Sequence, residues 1–294
     1  MRLVKFEYKG KSEVGVRIDQ RIVLLDSAQA STIAEVFAMP DFRSALTDWL
    51  GSVASLQTIP VSDVKLLPPV EATNRIFCVG LNYLEHVRET SGAERAPAVQ
   101  KPAAPTIFLR LLSSFVGDSA PILRPVVSEK FDWEGELTAV IGRSGFRITE
   151  ENALDHVAGY TIANDGSMRD WQLASTQWTL GKNFEKSGSI GPEIVTADEL
   201  PPGARGLAIS TRVNGETVQD DNTDNMMFDL PFLVSHISQA VRLEVGDLIL
   251  TGTPSGVGVG RKPPRFLSAG DVCEVEVGRV GILRNPVQDE PSAK

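Results

Sequence analysis

The stretch Phe131-Asp132-Trp133-Glu134-Gly135-Glu136-Leu137-Thr138-Ala139-Val140-Ile141-Gly142 decides how this chain is read, because it places carboxylates at every second position of an apolar, β-like segment. The alternation predicts a strand that carries Asp132, Glu134 and Glu136 on one face. Carboxylates two residues apart on a strand lie roughly 6 to 7 Å from each other and repel by about 2 to 3 kcal/mol in a medium of intermediate dielectric. A divalent cation reverses that sign. A second segment repeats the oddity. A short helix is expected to open at Thr149, with Glu150 and Glu151 in its first turn, and the apolar run Val157 to Ala163 then ends in Asn164-Asp165. An arbitrary E-x-E is usually the solvated face of an edge strand. Here Thr138 and Val140 continue the same face, and no run of Lys or Arg lies nearby in sequence to neutralise it. An all-carboxylate set suits a hard cation, Mg2+, Mn2+ or Ca2+, rather than zinc.

Around this centre, residues 1 to 26 read as short strands and residues 33 to 51 as two short helices, the first stopped by Pro40. Pro60 and Pro68-Pro69 bracket a link, which divides a small N-terminal α/β domain, residues 1–68, from a larger β-rich domain, residues 69–294, in an α+β chain. Ile76 to Gly80 should be a buried strand, Asn82 to Glu89 helix-like, and Ser91 to Pro105, rich in Ala, Gly and Pro, a mobile lid. Thr106 to Leu112 return to a strand. Gly188 to Pro192 read as a turn, Asn214-Gly215 as a hairpin turn, residues 228 to 241 as an amphipathic helix, and the tail after Pro286 as loose. Cys78 and Cys273, both inside apolar runs, are expected to be buried thiols, with a disulfide between them left open.

A formal charge of −9 without clustered Lys and Arg argues against nucleic acid. No stretch approaches the length of an apolar membrane span and no signal-peptide core opens the sequence, so no membrane partner and a cytoplasmic location are expected. Gly256, Gly258 and Gly260 alternate but run into Arg261-Lys262-Pro263-Pro264 instead of opening a helix, which excludes a dinucleotide-binding loop. We expect instead a tight loop whose amides and Thr253 hydroxyl approach an anionic ligand. Neither G-x-S-x-G nor H-E-x-x-H occurs.

The segments D-W-E-G-E-L-x-x-V-I-G and G-Y-T-I-A-N-D-x-S-x-R-D-W-Q resemble the core motifs of the fumarylacetoacetate hydrolase superfamily. The resemblance continues in Gly80-Leu81-Asn82-Tyr83 with His86 and Glu89, in Gly181-Lys182 and in Thr251-Gly252-Thr253-Pro254-Ser255-Gly256-Val257-Gly258, and spans roughly residues 60 to 288. It implies a mixed β-roll catalytic domain, a divalent cation (Mg2+ or Mn2+, with Ca2+ as a further candidate) on Glu134, Glu136 and Asp165, and Lys182 facing the metal cavity. It also implies a homodimer and substrate contacts from Asn82, Tyr83, Arg110, Gln172 and Thr253. His86 and Glu89, three residues apart, share a helical face, so the carboxylate can orient the imidazole as a general base.

The activity expected on this resemblance is hydrolysis of a carbon-carbon bond in a 2,4-dioxo acid, an acylpyruvate or fumarylpyruvate-like substrate of aromatic catabolism. The acid would chelate the cation through its carboxylate and 2-oxo oxygens, His86 with Glu89 would activate water, and Lys182 would stabilise the enolate expelled. The family also implies alternatives: decarboxylation or tautomerisation of oxaloacetate, isomerisation of unsaturated 2-oxo diacids, and a non-catalytic metal-binding relative. Two departures bear on the substrate. Arg110-Leu111 stands where many members have Lys-Pro, and Gly166 and Met168 alter the usual N-D-V-[ST]-A-R-D.

Overall fold

The architecture follows from strands that are apolar at nearly every position. A computed structural model describes residues 1–25, 30–52, 58–91 and 100–291. Strand Gly135–Ile141 is buried at all 7 positions, and its antiparallel neighbour Val157–Asn164 at all 8. A strand with no polar face must be covered on both sides. Leu137, Ala139 and Ile141 enter a core shared with helix Leu230–Ala240 and with Val275, Val277 and Leu283 of a second sheet. Val140 enters another, with Leu3, Ile33, Val36, Phe37 and Leu46 of the N-terminal region.

Both strands lie near the middle of a 12-stranded sheet. Beyond Val157–Asn164 it continues through Gly188–Thr196 to the N-terminal strand Arg2–Tyr8; beyond Gly135–Ile141 it continues through Leu248–Leu250 and Ile76–Gly80 to the edge strand Thr106–Arg110. The second sheet has 5 strands, in the order Glu216–Asn222, Ala208–Val213, Val272–Val277, Gly281–Asp289, Ile122–Arg124. The N-terminal region therefore joins the main sheet by backbone pairing, Arg2 opposite Val195 and Leu3 opposite Ile194, across the expected division at residue 68. Arg2 and Arg17 reinforce that seam through the buried carboxylate of Glu193.

Several expectations need correction. Asp132 does not share a face with Glu134 and Glu136: the chain leaves the short ribbon Phe131–Asp132, paired with Ser167–Met168, before the main strand begins at Gly135. The alternation was real, but the strand is broken between its acids. Gly188 to Pro192 is no turn; it opens the central strand Gly188–Thr196, where a register shift between Tyr160 and Ile162 of the neighbouring strand accommodates the proline that cannot donate. Nor is the chain loose directly after Pro286, since Gly281–Asp289 pairs with Ile122–Arg124 and Val287 is buried; residues 292–294 lie outside the described residues. Cys78 and Cys273 are free and buried. Of the expected lid, residues 92–99 lie outside the described residues. Among the described residues no helix is long and apolar enough to cross a membrane.

Ile249, fully buried in the first core and away from every charged group of the site, tests the packing without touching chemistry. Ile249→Ala should lower the unfolding free energy by about 2 to 5 kcal/mol in urea titration; a change near zero would show that this interface does not hold the sheet.

Candidate active site

Register brings the acids together. Gly135 pairs with Asn164 and Glu136 with Ala163, so Glu134 and Glu136 at the start of one strand meet Asp165 just past the end of the other. The Asp165 amide donates to the Glu134 carbonyl at 2.8 Å, and the Asn164 side chain accepts from the Glu134 amide at 2.9 Å. Glu134, Glu136 and Asp165 are all buried, and each offers an oxygen within 4.8 Å of the others.

The structure corrects the expectation that these acids lack cationic neighbours. The cations arrive from distant sequence. Lys182 donates to Glu134 at 2.5 Å and to Asp165 at 2.7 Å; Arg110 donates to Asp165 at 2.6 Å; Arg169 reaches Glu134 at 2.7 Å and Asp132 at 2.7 Å. Four acids, Asp132 included, thus face three cations. Burial pushes the Glu134 carboxyl up, but Lys182 and Arg169 outweigh it and hold it at about 2. Burial lowers the Lys182 ammonium, yet Asp165 and Glu134 more than compensate, so it is raised and stays charged.

Glu136 is the exception. It contacts no cation and accepts one backbone bond, from the Gly252 amide at 2.7 Å. Burial, then Asp165 and Glu134, push its carboxyl well above the usual carboxylate range. A buried acid with spare oxygen lone pairs beside two further carboxylates fits a hard divalent cation, which supplies the charge that this corner lacks.

The glycine-rich loop binds anions, but they are the protein's own. Its amides meet Glu136 through Gly252, Glu89 through Gly256 at 2.9 Å, and Asp132 through Gly258 at 2.7 Å and Val259 at 2.9 Å. Gly256 has φ +104°, and a Cβ there would lie 2.0 Å from the Val218 carbonyl oxygen, so the loop needs glycine at that point. The Thr253 hydroxyl donates to the Gly135 carbonyl at 2.9 Å and lines the cavity.

His86 and Glu89 lie on helix Leu84–Thr90, three residues apart as the spacing required, with His86 Nδ1 2.8 Å from Glu89 Oε1. A carboxylate only accepts, so it fixes the hydrogen on Nδ1 and leaves the lone pair on Nε2. Glu89 is held in turn by the Gly256 amide. Both residues line a cavity of about 410 Å³ together with Glu134, Glu136, Lys182 and Gln172. Leu81, Leu173, Trp178 and Val259 give its wall apolar surface. Gly181 lets the segment carrying Lys182 cross tightly over Gln172, whose backbone nitrogen would be 2.3 Å from a Cβ.

Three expected substrate contacts lie elsewhere. Asn82 uses its carboxamide to bind the backbone of Phe228 and Thr251, fixing the entry to the helix of His86. Tyr83 is buried behind it and Arg110 lies behind Asp165; none of the three lines the cavity. Arg169, four residues after Asp165, is a further site residue, and its burial beside Glu134 and Asp132 is visible only in the folded chain.

A buried carboxylate cluster, a tethered ammonium and a His-Glu dyad at one cavity make an enzyme-type site suited to anions. The family model described as fumarylacetoacetate (FAA) hydrolase, C-terminal, matches residues 75–288. This chain belongs to the fumarylacetoacetate hydrolase superfamily, whose members are enzymes that bind a divalent metal. It is 46% identical over 228 residues to the mitochondrial oxaloacetate tautomerase fahd2 of Xenopus laevis, covering 77% of this chain and 69% of that one. Identity to the mitochondrial oxaloacetate tautomerase FAHD2A of Homo sapiens is 43% over 236 residues, covering 80% and 73%. The fumarylacetoacetate hydrolase of Exiguobacterium antarcticum superposes with a TM-score of 0.81 at 33% identity, covering 99% of this chain and all of that one.

The raised Glu136 carboxyl gives a signed expectation. An acid raised on folding stabilises the metal-free protein below the ordinary carboxylate value, and that contribution fades as pH rises from about 4.5 towards the raised value. Cation binding must expel this proton. Calorimetric titration with Mg2+ or Mn2+ in buffers of different ionisation enthalpy should therefore reveal proton release, and affinity should grow with pH across that window. Glu136→Gln should abolish both; proton-neutral binding at every pH would refute the assignment.

Proposed function

We propose that this chain is a divalent-cation-dependent oxaloacetate keto-enol tautomerase. The observation that carries the reading is the His86-Glu89 dyad, held by the Gly256 amide and lining the same cavity as Glu134 and Glu136, two of three mutually close carboxylates. The relatives at 46% and 43% identity are oxaloacetate tautomerases, which supports it over carbon-carbon hydrolysis.

A cation held by Glu134, Glu136 and Asp165 would supply Lewis acidity at the 2-oxo group, making the adjacent C3 hydrogens more acidic. His86 Nε2 accepts a proton from C3, and Glu89 stabilises the imidazolium. The C3–H electron pair becomes the C2–C3 double bond while the carbonyl pair moves to oxygen. Return of the proton from His86 to that oxygen gives the enol, and the reverse sequence regenerates the ketone. No water is consumed. Lys182 acts as a fixed positive charge, not as a base, because its ammonium is raised by Asp165 and Glu134. The apolar wall limits water around the developing negative charge and strengthens these electrostatic contacts.

Hydrolysis of an acylpyruvate is the second reading, favoured by the likeness to the Exiguobacterium hydrolase. It would use the same dyad to activate water. His86→Ala should slow oxaloacetate enolisation by about 100- to 10,000-fold while leaving Mg2+ affinity unchanged. Enol absorbance, acylpyruvate loss and carbon dioxide are followed in parallel. Acylpyruvate cleavage without accelerated enolisation would replace the tautomerase by the hydrolase, and no turnover of either would favour the non-catalytic relative.

A homodimer remains part of this proposal. The edge strand Thr106–Arg110 and the neighbouring segments expose Leu109, Leu111, Leu173 and Leu180, apolar surface of the kind that a second chain covers. Light scattering should give twice the 31.8 kDa chain mass at micromolar concentration; the single-chain mass would count against it.

A further inference from the structure

We infer that Arg261 and Lys262, with the free Nη2 of Arg169, form a carboxylate subsite in the cavity wall that selects 2-oxo dicarboxylates over 2-oxo monocarboxylates. The inference deepens the tautomerase reading and rests on it for the identity of the head group.

Arg169 is buried and nearly saturated. Nε donates to Asp132 at 2.7 Å, and Nη1 reaches Glu134 at 2.7 Å and the Gln172 side chain at 2.9 Å. Its Nη2 is enclosed with no acceptor. Arg261 repeats the pattern. Its guanidinium lies over the Trp133 ring at 5.7 Å, Nη2 donates to the Val218 carbonyl at 3.1 Å and Nη1 is 3.7 Å from Glu216. Its Nε, too, is enclosed with no acceptor. Both arginines line the cavity that His86, Glu134 and Glu136 also line.

Two enclosed guanidinium donors without an acceptor among the described residues, on side chains of one cavity wall, are unusual, because enclosed N–H groups are almost always satisfied. The protein's own acids in that wall make no hydrogen bond to either donor: Glu89 meets His86 and Gly256, Glu134 meets Lys182 and Nη1 of Arg169, and Glu136 accepts from Gly252 and keeps its remaining lone pairs beside Asp165 and Glu134. None of these acids is the missing acceptor, and the Arg261 side chain, 30% exposed, can turn its guanidinium towards an acceptor that enters with the ligand. Lys262, exposed on the same wall, adds positive charge where Arg169 is largely neutralised by Asp132 and Glu134. A 2-oxo acid would use its first carboxylate and its 2-oxo oxygen on the cation that Glu134, Glu136 and Asp165 would hold, so the ligand group left for these donors is a second carboxylate. Trp133 stacking and the Val218 bond keep Arg261 at that wall before the ligand arrives, which reduces the ordering cost of binding.

The test uses the Mg2+-loaded full chain and calorimetric titration with L-malate, L-lactate and oxalate. Malate and lactate share a 2-hydroxy acid head and differ in the distal carboxylate; oxalate engages the metal end alone. The unmodified protein should bind malate at least about tenfold more tightly than lactate, as one charge-assisted contact provides. Arg261→Gln should weaken malate by about 10- to 100-fold and leave lactate and oxalate within about twofold, with Arg261→Lys recovering part of the loss. Equal binding of malate and lactate by the unmodified protein, as expected if water alone occupies these donors, would overturn the subsite. So would an Arg261→Gln variant that weakens all three ligands alike. Should that variant fail to fold, Lys262→Gln at its exposed position decides: a reduced malate advantage supports the subsite and an unchanged one removes it. None of these readouts needs turnover. A protein that prefers malate but does not enolise oxaloacetate keeps the subsite and loses the tautomerase, whereas enolisation with a KM indifferent to Arg261→Gln does the reverse.

Discussion

Everything at this site depends on compensating carboxylates that are buried away from water. Glu134 and Asp165 are each about 1 to 5% exposed, and Glu136 and Asp132 no more than 1%. An ion moved into such a setting alone would cost several kcal/mol. The fold answers in two ways. Arg110, Arg169 and Lys182 supply countercharge from three separate segments, and backbone amides of the glycine-rich loop supply directed dipoles. Removing any one cation would leave a buried charge uncompensated, so these groups are constrained together.

The distribution of that compensation assigns roles. Glu134 and Asp165 are saturated by Lys182 and its neighbours, and Glu136 is not. The corner with a deficit of positive charge is where a divalent cation adds most. The glycine-rich loop couples this corner to the rest of the machinery. Gly252 holds Glu136, Gly256 holds Glu89 and through it His86, and Gly258 with Val259 holds Asp132 and through it Arg169. One loop thereby fixes the separation between the metal carboxylates, the base and an arginine of the cavity wall. It can do so because glycine lets its backbone approach Val218 and adopt φ +104° at Gly256.

The same economy explains why motif residues are not all ligand contacts. Asn82 reads like a binding residue, being polar and next to His86, yet each of its polar atoms is taken by the backbone of Phe228 and Thr251. Leu81 beside it holds a positive φ of 58° and lines the cavity, a strained position that the Asn82 clamp helps to maintain. Motif membership marks the residues that build the site as well as those that face it.

The sequence by itself determined the chemistry available: carboxylates embedded in apolar segments, a His and Glu three residues apart, glycines that forbid a Rossmann reading, and motif order sufficient to recognise the superfamily. These are local properties, and strand and helix periodicity expresses them directly. Periodicity failed where burial has no polar face to alternate with, as at Gly188 to Pro192, and where a strand breaks within an alternating run, as at Trp133. Only the tertiary structure decided which charges meet. Lys182, Arg110 and Arg169 reach Asp165 and Glu134 because strand register and the tight crossing at Gly181 bring them there, and no spacing along the chain encodes those distances. Electrostatic balance in a desolvated site is a property of the packed whole, so the sequence could name the acids, and Lys182 through the family resemblance, but not which charges pair.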